Sequence, residues 1–116
     1  MTKKYELKNL KEFAYNPFSN YKSDQIFDEP FIASLSKTAK HIIKYLIYKQ
    51  VFTEEKFLFN IDAFYRFIGH IHMDILSDGL AELCTKKVLA KTKDVHVYWI
   101  NKELFNTGVF QPQYIN

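Results

Sequence analysis

Cysteine is almost missing from this chain: the single thiol, Cys84, among 116 residues leaves nothing to form an internal disulfide and fits a reducing compartment. Its helical spacing beside Leu80 and Leu83, with no base next to it before Lys86, marks it as a packing residue rather than a nucleophile. Glycine is equally scarce. None of the three glycines belongs to a phosphate-cradling loop or a Gly-x-Ser-x-Gly elbow, and no carboxylate pair has a histidine in support, so no catalytic residues are assigned. Long apolar runs are also lacking, because Ile42-Ile43 and Leu46-Ile47 are interrupted by Lys44 and Lys49, far short of the roughly 20 residues that span a bilayer. Met1 to Glu6 has no apolar signal core, and the expected setting is the cytoplasm with no membrane contact. His70 and His72 lie two apart with no second Cys or His pair at zinc spacing, so neither a metal nor a cofactor is expected.

What the chain does have is the balance of one globular domain: 47% hydrophobic and 25% charged residues. Its formal net charge of +3 is small but unevenly spread. Lys37, Lys40, Lys44 and Lys49 sit together with no acid among them, whereas residues 60 to 85 set Arg66 against Asp62, Asp74, Asp78 and Glu82. Lys86, Lys87, Lys91, Lys93 and Lys102 then surround a single Asp94. Two basic stretches therefore flank an acidic one.

Residues 1–30 form an N-terminal arm rich in large rings, with Leu7, Leu10 and Ala14 at a spacing that predicts a short helix near Tyr5 to Ala14, ended by Asn16-Pro17. So many aromatics must be covered by the domain itself, a twin or a partner, and homodimerisation through the arm or the first helix stays open. Residues 31–116 make the main domain. Leu35 to Gln50 has a single apolar stripe, Ala39, Ile42, Ile43, Leu46 and Ile47, with lysines opposite and Ser34 or Ser36 to cap it. Lys56 to Phe59 is a short strand, Asn60 to Ile68 a helix capped by Asn60, Gly69-His70-Ile71 a turn, and His72 to Lys86 a further helix with Ile75 or Leu76, Leu80 and Leu83 inward. Gly79 in mid-helix implies the close approach of a neighbour.

Val88 to Thr92 and Val95 to Ile100, around Lys93-Asp94, read as a β-hairpin in which Val95, Val97 and Trp99 face inward. The exposed rings are then Tyr98 or the N-terminal tyrosines. Asn101 to Phe105 would add a terminal turn, and Gly108 to Asn116 a tail. The element order of helix, turn, helix and hairpin predicts an α+β winged helix-turn-helix: a three-helix core with a β-hairpin wing.

The run from Leu35-Ser36-Lys37-Thr38-Ala39-Lys40 through Leu80 to Thr92, closing on Val97-Tyr98-Trp99-Ile100-Asn101, resembles the winged-helix domain of plasmid replication initiators over the last two thirds of the chain. The resemblance implies a recognition helix and turn bearing His70, His72, Met73, Asp74, Ser77 and Asp78, and a wing whose basic patch is Lys86, Lys87, Lys91, Lys93 and His96. Lys37, Lys40 and Lys44 give the first helix its own basic face. Three departures stand out: the recognition helix is acidic where the family is small, polar and basic, Lys102 replaces a proline, and the turn Gly69-His70-Ile71-His72 is one residue longer than usual, which shifts the aim of the helix. An acidic helix removes the phosphate-neutralising term that DNA binding depends on. The expected partner is therefore a host protein or protein–RNA complex, bound in the manner of the small anti-CRISPR and other anti-defence proteins of mobile elements; duplex DNA is the alternative.

Overall fold

The computed structural model describes residues 6–19, 28–49 and 54–102. It is a mixed helix and sheet architecture, with helices α1 (Glu29–Ala33), α2 (Lys37–Tyr48), α3 (Ile61–Ile68) and α4 (Met73–Thr85) and strands β1 (Lys56–Leu58), β2 (Leu89–Lys91) and β3 (Val97–Ile100). The three strands are antiparallel, with β3 in the centre.

Each long helix starts where a side chain can accept a stray backbone N–H. Ser36 accepts from Ala39 at 3.1 Å to open α2, and Asn60 accepts from Ala63 at 2.9 Å to open α3. The short α1 was not evident from periodicity; it forms because Asp28 caps Phe31 and Pro30 sits in its first turn. It also crosses residues 30 and 31, the junction expected between arm and domain.

Apolar stripes from α2, α3 and α4 close on Phe59, Phe64, Leu76, Leu83 and the inner sheet face in one core. Tyr45 lies edge-on to Phe59 and Phe64, with centroids 5.6 and 5.4 Å away. Leu76, not Ile75, is the inward residue at the start of α4, and Ile75 is 49% exposed. Gly79 does serve a close approach: a β-carbon there would stand 2.7 Å from Thr38 Cγ2 and 3.0 Å from Ile42 Cδ1 on α2. α4 ends in a left-handed turn at Lys87, with Val88 N–H donating to the Leu83 carbonyl and Lys87 N–H to that of Cys84. The buried Asn101 locks that turn by donating its amide to the Lys87 carbonyl at 2.9 Å.

Three expectations are corrected. The hairpin break is longer than Lys93-Asp94, running from Thr92 to His96, so Val95 is 78% exposed in the loop rather than inward on a strand. Tyr98 is buried against the core, whereas Trp99 is covered on the opposite face of the sheet; among the described residues Tyr15, in the arm, and Tyr48, on α2, are the exposed rings. In place of a helix from Tyr5 to Ala14 there is one 3-10 turn, Leu7–Asn9, followed by extended chain.

That extended chain has a structural use. Phe13 N–H donates to the Lys91 carbonyl at 2.9 Å, and Glu12 forms a parallel bridge with Lys91, so the arm lies along the open edge of β2. The Trp99 indole then donates to the Phe13 carbonyl at 2.9 Å across the outer sheet face. Trp99 also carries the Lys56 ammonium 5.1 Å from its ring centroid. Tyr5 and the ring-rich stretch around Tyr21 and Phe27, residues 50–53 between α2 and β1, and the terminal turn and tail beyond Lys102 lie outside the described residues.

Candidate interaction surface

The first half of α4, the β2–β3 loop and the 3-10 turn of the arm enclose a cleft of about 570 Å³. Asp74, Ser77 and Asp78 line one side; Lys91, Lys93 and His96 line the other, so six of the residues expected to act do meet in one place. Sequence reasoning did not find the third wall. Glu6, Glu12 and Lys8 belong to it, brought there because the arm folds back over β2, a contact no periodicity encodes.

Among the described residues the sign of this cleft is acidic. Glu6, Glu12, Asp74, Asp78 and Asp94 outnumber Lys8, Lys91 and Lys93, and Lys91 is already engaged: its ammonium donates to the Leu7 carbonyl at 3.0 Å and reaches that of Leu10 at 3.5 Å. A cation of the expected basic patch thus anchors the arm instead of facing outward. Lys86 is a second such case, donating to Glu82 at 3.3 Å and to the Ser34 carbonyl at 3.4 Å. Glu82 itself is buried and accepts the Ser36 N–H at 2.9 Å, so it joins α4 to the start of α2 and takes no part in the acidic surface. Lys87, Lys93 and His96 are the exposed members of the patch, with Lys87 and His96 held in left-handed backbone.

The turn before α4 is tied to its neighbours by local contacts. Tyr65 packs its ring 4.8 Å from His70 and directs its hydroxyl to Met73 Sδ at 3.8 Å, while His72 caps α4 through Nδ1, which accepts from Asp74 N–H at 3.2 Å. His72 is therefore the residue before the helix, not its first turn. Among the described residues no cluster of His, Cys, Asp or Glu could hold a metal ion. Burial pushes the Cys84 thiol up to about 12, with Lys91 opposing, which removes it from nucleophilic chemistry near neutral pH.

The basic face of α2 lies apart from the cleft. Lys37, Lys40, His41, Lys44 and Tyr48 share one stripe of the helix about 100° wide, exposed at Lys37 and Tyr48 and half-buried at Lys40, His41 and Lys44. Partial burial lowers the pKa of His41, and the charges of Lys37 and Lys44 lower it further. No helix of the described chain is long and apolar enough to cross a membrane. Comparison with protein-family models, with curated proteins and with solved structures returns no match.

Proposed function

We propose that this chain is a non-enzymatic winged-helix protein of a plasmid or phage, acting in the cytoplasm, that binds a host protein or nucleoprotein effector as a stoichiometric inhibitor. In this reading α3 and α4 are the helix-turn-helix pair and the β2–β3 loop is the wing. The observation that carries it is the acid-lined cleft between α4 and that loop. A duplex backbone seated there would meet carboxylates where it requires cations. A basic protein surface, such as the rim of a nucleic-acid channel, has the complementary sign.

The test is capture of host proteins from nuclease-treated lysate by the intact chain, beside Asp74→Lys and Asp78→Lys. One protein retained by the parent and lost by both variants supports the reading; loss of every partner on nuclease treatment overturns it. Asp74 lies in the first turn of α4, where a lysine costs roughly 0.3–1 kcal/mol against the helix dipole, and circular dichroism of both variants checks that the fold is kept. Duplex DNA binding is the second reading, favoured by the order helix, helix, hairpin along the chain. Under it, Lys87→Ala and Lys93→Ala flatten the salt dependence of duplex binding, whereas Lys91, held by the arm, does not.

A further inference from the structure

We propose that this half-open stripe of α2, formed by Lys37, Lys40, His41, Lys44 and Tyr48, is a binding strip for single-stranded nucleic acid, with the lysines on successive phosphates and the Tyr48 ring under an unpaired base. The strip is independent of the acidic cleft and of the reading given to it. The α2 residues that meet Gly79 of α4, Thr38 and Ile42, lie round the helix from the stripe, which faces away from α4.

Geometry and charge both point to a polyanion. The three lysines recur at spacings of three and four, which stacks them along one line of the helix at axial steps of about 4.5 and 6 Å. Among the described residues none of them has a carboxylate within ion-pair distance, in contrast to Lys86 with Glu82. His41 sits among them, and its pKa is lowered first by partial burial and then by the charges of Lys37 and Lys44. A bound phosphate would relieve that repulsion. At the end of the line Tyr48 is 65% exposed, yet its ring is held in stacking geometry on Phe67, centroids 4.7 Å apart and planes 30° from parallel. Phe67 covers one side of the ring and the remainder is exposed. A supported ring at the end of a cationic line suits unpaired bases, because a duplex keeps its bases stacked on one another.

Fluorescence anisotropy with labelled oligo-dT and oligo-U of about 12 nucleotides, a duplex of equal length and heparin tests the proposal on the intact chain. The expected result is binding of the single strands in preference to duplex and heparin, with a log–log salt slope that falls by about 2 in Lys37→Ala/Lys40→Ala/Lys44→Ala. Tyr48→Ala weakens binding between about fivefold and a hundredfold, and Tyr48→Phe restores it. The His41 imidazole pKa, followed by NMR, rises when oligo-dT is added. Oligo-dT and oligo-U together separate DNA from RNA as the source, and preference for either supports the strip. Equal affinity for duplex or heparin, indifference to Tyr48→Ala, or an unmoved His41 overturns it.

Discussion

The ammonium of Lys91 donates to the carbonyl of Leu7 at 3.0 Å, so a residue that reads as part of a basic wing instead fastens the N-terminal arm. Lys91→Met keeps the stem and removes the donor. The variant should lose about 1–2 kcal/mol in urea unfolding, the worth of a charge-assisted hydrogen bond, while the salt dependence of any nucleic-acid binding stays unchanged. A lowered salt slope would show that Lys91 meets phosphate after all.

Gly79 and Thr38 define the distance between α4 and α2. Alanine is the better helix former by roughly 1 kcal/mol, but its methyl would press on Thr38 Cγ2. Overpacking of this kind costs about 1–3 kcal/mol, so Gly79→Ala is expected to lower stability. Thr38→Ser removes the obstructing methyl and should rescue it. A double-mutant cycle by chemical denaturation gives the coupling energy, and additivity of the two changes would refute the contact.

Glu82 is an acid of α4 with a structural task, since its carboxylate receives both Ser36 N–H and Lys86. Glu82→Ala removes the acceptor of that partly buried N–H and the partner of Lys86, and should cost about 1–2 kcal/mol in thermal or chemical unfolding. Partner capture by the folded fraction should not change. Asp74→Lys has the opposite profile, little loss of stability and loss of capture.

Three groups shape the expected pH window. His41 has a folded pKa below its ordinary 6.5, so the stability it contributes is present above that value and is lost as pH falls below it. His41→Asn should therefore flatten the acid limb of the urea midpoint plotted against pH. Cys84 is the reverse case. With its thiol raised from 9.0 to about 12, its contribution is whole below pH 9 and declines as pH climbs toward 12. Tyr98, also raised by burial, steepens the upper part of that limb, and Cys84→Ala should remove the lower part.

Much of the architecture was legible in the residues because it is locally encoded. Asn60 and Ser36 cap the helices they precede, Ala39, Ile42, Ile43 and Leu46 of the α2 stripe are buried as their spacing requires while Ile47 is half-buried and Tyr45 joins them, and Gly79 marks the helix contact. The arm was misread because Leu7, Leu10 and Ala14 satisfy a helical repeat, while Phe13 and Glu12 gain more by pairing with the backbone of Lys91, far away in sequence. The same long-range contact hid Glu6 and Glu12 from the candidate site. Charge counting failed where ion pairs turn inward, since Lys86 and Glu82 cancel one another beneath the surface on which both were counted. Alternation placed Val95 on a strand because it could not see Thr92 holding a longer loop, its hydroxyl accepting from Asp94 N–H and donating to the Val97 carbonyl.

The strap that Phe13 forms with Lys91 and Trp99 also fixes an order of events on the ribosome. Its two ends are separated by 86 positions, so the segment made early has no binding surface until almost the whole described chain has emerged. Helices α2 to α4 can collapse together first, and the last-made strand then gives the waiting segment its seat.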